Sequence, residues 1–300
     1  MKQLSADADF GHSDTIDHYN MSEAVAEAFF NHGIAAVFAL KSGANYLQII
    51  ENVGYLVHPW SCAVALNLSQ ISEQHALKIA RLLAKMHRAD IVDPGLSEPQ
   101  FDLHPEDRII ELVYGAEECN LQIAQALKEE LPTFLAIAEA QKEAVWILAK
   151  HVVISHGDLN QKNVLWDAGG NPSLIDWESA RKLSPTYEIV NEALDWSGIT
   201  SQLDHGLFEK IILAYKQAGG VIEYDSIQAS FDCILGDWVN WLMYNVGRCI
   251  YLDEEERTIG KKQVYIALPT ILQLNRELPG LLSMAGSGPA KAELGASCLI

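Results

Sequence analysis

The spacing of apolar positions changes along the chain, and each change marks a new kind of element. Residues 1–18 are polar and irregular after the first few positions. Over residues 20–31, Ala24, Val25 and Ala28 recur at helical spacing behind Asn20 or Ser22, either of which can cap a helix. Three runs with strand character follow, Ile34–Leu40, Tyr46–Ile50 and Gly54–Val57. Pro59 then turns the chain out of the sheet, because proline cannot continue a central strand. Ile71–His87 reads as an amphipathic helix with Ala76, Ile79, Ala80, Leu83 and Met86 on one face. Helical stretches continue over 105–150, a compact β segment occupies 151–176, and helices return near 205–218, 226–250 and 262–277. Ser283–Ile300 is rich in Gly, Ala and Ser and reads as a loose tail. A small β-rich part therefore precedes a larger helical part, with residues 58–62 as the joint.

Charge narrows the partners. A formal charge of −19 repels nucleic-acid phosphates and anionic lipid, and draws in cations such as Mg²⁺ and amines. No apolar run approaches the roughly 18–20 residues of a membrane span. The start, Met1-Lys2-Gln3-Leu4, turns polar and acidic at once and does not read as a secretory signal. The cysteines, Cys62, Cys119, Cys233, Cys249 and Cys298, are scattered and lack C-x-x-C spacing, which argues against a disulfide framework or a zinc site. The expected location is a reducing cytoplasm, with no nucleic-acid or membrane partner.

The chemistry concentrates in one segment. After the short apolar strand Val152–Ile154 comes a polar loop, His156-Gly157-Asp158-Leu159-Asn160-Gln161-Lys162-Asn163. Val164–Trp166 and Ser173–Ile175 are apolar runs joined by Asp167–Pro172, whose Asp, Gly, Asn and Pro are turn residues, so the pair reads as a hairpin. With Trp166 opposite Ser173, Val164 would face Ile175, and Asn163 and Asp176 would arrive side by side at the open end. Asp158 lies on the loop that feeds the same end. A few oxygen ligands of this kind suit a Mg²⁺ ion that keeps waters and binds substrate phosphates. The remaining carboxylate can orient a hydroxyl and accept its proton.

His156-x-Asp158-x-x-x-x-Asn163 resembles the catalytic loop shared by eukaryotic-type kinases and aminoglycoside phosphotransferases, and Asp176 falls where the kinase D-F-G aspartate falls. Gly157, together with Ile175-Asp176-Trp177-Glu178 in place of D-F-G, resembles the aminoglycoside phosphotransferase/choline kinase branch. The resemblance implies an α+β, bilobal protein-kinase-like fold, with a reduced β-rich N-lobe over 1–59, a larger, mostly helical C-lobe over 60–282, and a flexible tail over 283–300. It further implies ATP and Mg²⁺ as cofactors, Asp158 as catalytic base, Asn163 and Asp176 as metal ligands, and His156 as a positioning residue. Tyr55–Trp60 resembles the last N-lobe strand and the adenine-binding hinge, which assigns His58 and Trp60 to the nucleotide. Lys2 resembles the phosphate-binding lysine, with Glu23 on the next helix as its partner. The sequence lacks a Gly-rich phosphate loop, so the resemblance also implies that the first two N-lobe strands are absent. That leaves either a truncated enzyme or a degenerate relative that binds nucleotide or a partner without turnover.

The implied reaction is phosphorylation of a hydroxyl on a small molecule, aminoglycoside-, choline- or sugar-like. Candidate acceptor contacts are Glu178, Asp195, Trp238 and Trp241, with Trp196, Asp237 and Tyr244 nearby. Trp238, Trp241 and Tyr244 share one face of a helix, as an aromatic site for a cationic acceptor requires; the same spacing also suits plain core packing. A protein kinase is disfavoured because Asp176 runs directly to Leu183-Ser184-Pro185, with no activation segment. A metal-dependent hydrolase is disfavoured because histidine or further carboxylate ligands at suitable spacing are missing.

Overall fold

A computed structural model describes residues 1–4, 9–89, 91–96, 101, 103–118 and 121–286. Cys119, Cys298 and the 287–300 part of the expected tail lie outside them. The N-terminal part holds a sheet of β1 (Lys2–Gln3), β3 (Val53–Leu56) and β2 (Gln48–Ile50), in that spatial order and antiparallel throughout. Leu4, Phe10, Ala39, Tyr46, Leu47 and Leu56 form its own apolar cluster, which Ile16 and Tyr19 cover. That packing explains why helix α1 runs over Ser13–Asn31 and begins well before the expected cap. Asn20 and Ser22 do other work inside it. The Asn20 side-chain oxygen accepts from Tyr46 N at 2.8 Å, and the Ser22 hydroxyl donates to the Tyr19 carbonyl at 3.1 Å.

The expected strand Ile34–Leu40 does not enter this sheet as a strand. Its centre crosses to the hairpin of residues 164–174, where Val37 N donates to Leu174 O at 2.8 Å and Leu174 N to Ala35 O at 2.7 Å. Only its end returns, through Leu40 N to Val57 O at 2.7 Å. On the other face of α1, Val25 and Phe29 join the main core, and Phe29 stacks on Trp177 with ring centroids 5.3 Å apart. The small sheet is thus bolted to the 164–177 segment through α1 and the 35–37 crossing.

The rest is mostly helical. Helix α2 (Glu73–His87) buries the predicted face of Ala76, Ile79, Ala80, Leu83 and Met86. Helices α3 (Glu106–Glu118), α4 (Ala124–Glu129) and α5 (Leu131–Leu148) fill the expected 105–150 region. After the β segment come α6 (Pro185–Trp196), α7 (His205–Gln217), α8 (Tyr224–Tyr251) and α9 (Glu254–Gly286). Helix α9 extends past Ser283 because Leu281 and Ala285 are fully buried and the Lys216 ammonium donates to the Ala285 carbonyl. At Gly236 on α8 a Cβ would sit 2.1 Å from the Gln141 side chain of α5, so glycine alone permits this close crossing. Among the described residues no helix is long and apolar enough to cross a membrane.

Short strands frame the site. β5 (Val153–Ser155) pairs with β8 (Arg181–Leu183), and β4 (Val64–Ala65), β6 (Val164–Trp166) and β7 (Pro172–Leu174) form a second sheet. The β6–β7 hairpin forms as expected but one residue out of the expected register: Val164 pairs with Leu174 and Trp166 with Pro172. The cause lies in the turn. The Asp167 carboxylate accepts from Gly169 N and Asn171 N at 2.8 Å each, tightening the loop and leaving Pro172 free to pair. Three elements here have no counterpart in the sequence reading, β4, β8 and α6. Pro185 in the first turn of α6 is a start signal for a helix, because its missing N–H is one that a first turn leaves unpaired anyway.

Candidate active site

The site begins with a backbone bond. Ile175 N donates to Asn163 O at 3.0 Å, so Asn163 and Asp176 end side by side even in the shifted register. Asn163 closes a short turn, Gln161–Asn163, that Asn160 caps through Lys162 N at 3.0 Å. The Asn163 amide donates to the Asp158 carbonyl at 2.8 Å and to its carboxylate at 3.0 Å. Asn160 donates to the other Asp158 oxygen at 2.6 Å. Asp176 adopts φ 63° and ψ 60°, a left-handed conformation that Asp tolerates better than most residues. That kink ends β7 and exposes the carboxylate at the hairpin's mouth.

The loop carrying Asp158 is held from behind. His156 is fully buried, and its Nε2 lies 2.9 Å from the Ile175 carbonyl, an acceptor only, so Nε2 carries the proton. Burial holds its pKa below the usual histidine range, which keeps the ring neutral and gives it a positioning role. Gly157 has φ +75°, and a Cβ there would meet the Ser179 carbonyl at 2.3 Å, so no larger residue fits without movement. Its N–H donates to Glu188 of α6 at 2.9 Å, and Leu159 N donates to Glu192 one turn on at 3.2 Å. The second Glu188 oxygen meets His87 Nε2 at 2.6 Å, and His87 Nδ1 lies 2.7 Å from the Tyr215 hydroxyl. Burial pushes the Glu188 pKa up, but the contacts with His87 and Gly157 outweigh it and leave the carboxyl below its ordinary value. For Glu192, burial together with Asp195 and Glu188 raises the carboxyl far above the carboxylate range.

These four residues escaped the sequence reading. His87 and Tyr215 look like ordinary members of amphipathic helices. Glu188 and Glu192 stand four apart on one face of α6, a signal open only to a reading that places that helix.

On the N-terminal side of this loop lies a cleft of about 350 Å³, with Val37 and Leu56 facing Leu165 and Ile175. Its polar end holds Lys2, Asp176 and Glu178, and its rim holds His58, Pro59 and Trp60. Lys2 Nζ lies 2.5 Å from Asp176 and 2.9 Å from Glu178. Burial lowers its pKa, and the two carboxylates more than restore it, so the ammonium is charged. The expected Lys2–Glu23 pair is not formed. Glu23 is buried and instead accepts from Ala39 N at 2.5 Å and faces His58 Nε2 at 3.2 Å, bracing the crossing segment and the hinge. Trp60 borders the slot but is 93% exposed, so its indole is not packed inside it.

On the other side of Asp158 a second cavity, of about 490 Å³, is lined by Asp158, Lys162, Glu192, Asp195, Trp238 and Trp241 among others. Three of the acceptor candidates meet there; Glu178 does not, because Lys2 holds it in the first cleft. Trp241 stacks on Tyr244 at 5.6 Å, whereas Trp196 is core, its indole donating to the Leu159 carbonyl at 3.0 Å. Burial and the field of Asp158 lift the Asp195 carboxyl to about 6, with Lys162 opposing, and one of its oxygens has no hydrogen-bond partner.

The donor set fits Mg²⁺. Among the described residues no three His, Cys, Asp or Glu side chains gather as an all-protein metal cage. One carboxylate and one amide beside an apolar slot suit a hard cation that takes its remaining ligands from phosphates and water. The Lys2 ammonium sits on Asp176 and Glu178, as a positive charge placed between two carboxylates would.

Comparison with known proteins agrees. The structure is similar to a spectinomycin phosphotransferase, APH(9)-Ia, solved with ADP and spectinomycin, at 11% identity and TM-score 0.64, covering 91% of this chain and 88% of that one. An aminoglycoside phosphotransferase from Alicyclobacillus acidocaldarius matches at 14% identity and TM-score 0.60, over 89% and 84% of the two chains. A Plasmodium vivax ethanolamine kinase matches at 17% identity and TM-score 0.52, over 85% and 73%. At these identities the likeness establishes the bilobal, protein-kinase-like α+β fold. None of the curated proteins matches the sequence. Residues 32–229 match the phosphotransferase enzyme family, APH, and the chain belongs to that family.

Proposed function

We propose that the protein is an ATP-dependent kinase of a small hydroxyl compound. The observation that carries this reading is the hydrogen-bonded Asp158–Asn163 pair beside Asp176, set between an apolar slot and a second cavity. Val37, Leu56, Leu165 and Ile175 would sandwich the adenine, with the backbone of His58–Trp60 along its edge. Asn163 and Asp176 would hold Mg²⁺, which supplies charge neutralisation on the phosphates. Lys2 would bind phosphate oxygens, releasing the carboxylates it now holds. Asp158 orients the acceptor hydroxyl and takes its proton as the acceptor oxygen bonds to the γ-phosphorus and the bond to the β-phosphate oxygen breaks, giving ADP. Asp195, Trp238 and Trp241 would line the acceptor's site. The functional division would follow the hinge, with an N-lobe over 1–59 and a C-lobe from 60 to the end of α9 at Gly286.

Calorimetric titration of Mg·ATP into the wild type and Asp176→Asn tests this reading. Binding to the wild type, weakened at least about tenfold by the substitution, is expected from the loss of a charged ligand. Absence of wild-type binding would overturn it. Binding without ADP release in the presence of any acceptor would favour the alternative of a relative that binds nucleotide without turnover.

A further inference from the structure

The charge of the chain is inverted in one place. Beside the acceptor cavity, which Asp158 lines, lies a larger one of about 800 Å³ that shares Asp237 and Trp241 with it, so the two adjoin. In a protein of net charge −19 this wall carries, among the described residues, Arg108, Arg181, Lys182 and Arg248 against one carboxylate, Asp237. Asp237 is directed by the protein's own donors: Gln141 Nε2 at 3.0 Å and the Tyr187 hydroxyl at 2.6 Å. Burial and Asp237 raise the Tyr187 phenol far above its usual range, so it remains a proton donor to that carboxylate.

The cations differ in how they are held. Arg108 pairs with Glu111, Lys182 with Asp93 and Arg248 with Glu256, all three carboxylates lying outside the cavity lining. Arg181 has no acidic partner within ion-pair distance among the described residues. Its position is fixed nonetheless. β8 pairs Arg181 with Ser155, two residues before Gly157, and the Arg181 Cγ would lie 3.4 Å from a Cβ at Gly157. This guanidinium, without an acidic partner among the described residues, therefore flanks the loop that carries Asp158 and lines the cavity next to the acceptor's. A guanidinium presents a planar fork of donors that matches carboxylate and phosphate oxygens, so its natural occupant is an anion. The stacked Trp241 and Tyr244 form the apolar side of the same space.

Resting on the kinase reading above, the geometry points to an acceptor that carries an anionic group, carboxylate or phosphate, which pairs with Arg181 while its hydroxyl reaches Asp158. Net charge and the aromatic stripe point instead toward a cationic group on the acceptor. Net charge describes the whole surface, whereas the ligand meets this one wall.

The test is direct binding to the full chain without nucleotide, by calorimetry, with matched hydroxyl compounds: glycerate and gluconate (carboxylates), glycerol 3-phosphate (phosphate), glycerol and glucose (neutral), and ethanolamine (cationic). At least one anion should bind more tightly than its neutral counterpart. Arg181→Met should weaken that binding at least about tenfold, the loss expected for one charge-assisted contact, and Arg181→Lys should restore part of it. Carboxylate binding without phosphate binding, or the reverse, identifies the anion class. Neutral or cationic compounds binding as tightly as the anions, no anion binding, or unchanged affinity in a folded Arg181→Met variant would overturn the inference. Mg·ATP affinity, measured on the same wild-type preparation, reports separately on the kinase reading, so either can fail alone.

Discussion

Glu188 Oε1 accepts the Gly157 N–H at 2.9 Å while Glu188 Oε2 meets His87 at 2.6 Å, so one buried carboxylate ties the catalytic loop to α2. The loop's shape is therefore a property of two helices distant in sequence as much as of its own residues. Glu188→Ala would strand both Gly157 N and His87 in the core. We expect a stability loss of about 3–5 kcal/mol, as for breaking a buried pair, whereas Glu188→Gln should lose less and still accept from Gly157. Thermal melts of the two variants check this. Because the folded pKa of Glu188 is depressed, its contribution is present above the unfolded value near 4.5 and is lost as pH falls through the lower folded value. Melts of the wild type should therefore lose stability below about pH 4.5 more steeply than those of Glu188→Gln, in which only the other depressed carboxylates, such as Asp93, remain.

Asp158 makes a prediction that separates chemistry from binding. Its carboxylate is bonded by Asn160 and Asn163 and faces the acceptor cavity, while the nucleotide slot is formed by other residues. Asp158→Ala should lower kcat about 10²–10⁴-fold, the range for a general base, with Mg·ATP affinity nearly unchanged. Turnover equal to wild type, measured as acceptor-dependent ADP release, would remove Asp158 from the mechanism.

The catalytic segment was legible because its chemistry is local. Asp158, Asn163 and Asp176 are joined by a short loop and a tight hairpin, and turn residues announce both. The register slipped by one because the Asp167 side chain, which sets the turn, cannot be weighed from residue types alone. Glu188, His87 and Arg181 were not legible in their roles, since each acts through a partner 31, 101 or 26 positions away that only the folded chain brings close. The Lys2–Glu23 pairing came from resemblance. Here Glu23 is claimed by Ala39 N and His58, leaving the Lys2 ammonium to the carboxylates at the hairpin mouth.

Asp195 predicts an unusual dependence of stability on pH. Its carboxyl is raised from 3.8 to about 6, so between those values the folded state binds more protons than the unfolded one, and stability falls as pH rises. The full penalty, on the order of 3 kcal/mol, applies above about pH 6. Asp195→Asn should therefore match wild type near pH 4 and exceed it in melting temperature near pH 8. Equal melting curves at both pH values would show that the carboxyl ionises freely. If Asp195 also contacts the acceptor, the variant's KM should rise while its stability improves.

The cations of the Arg181 wall are confined to one cavity, so an anion meets repulsion from the −19 chain on approach and attraction on arrival. These two forces differ in range. At 0.1 M ionic strength the Debye length is about 10 Å, which suppresses the long-range repulsion while leaving a guanidinium–anion contact at hydrogen-bond distance much less affected. Moderate salt would then speed entry more than it speeds escape. Anion affinity would rise before it falls, the opposite of the monotonic weakening shown by a basic protein binding an anion.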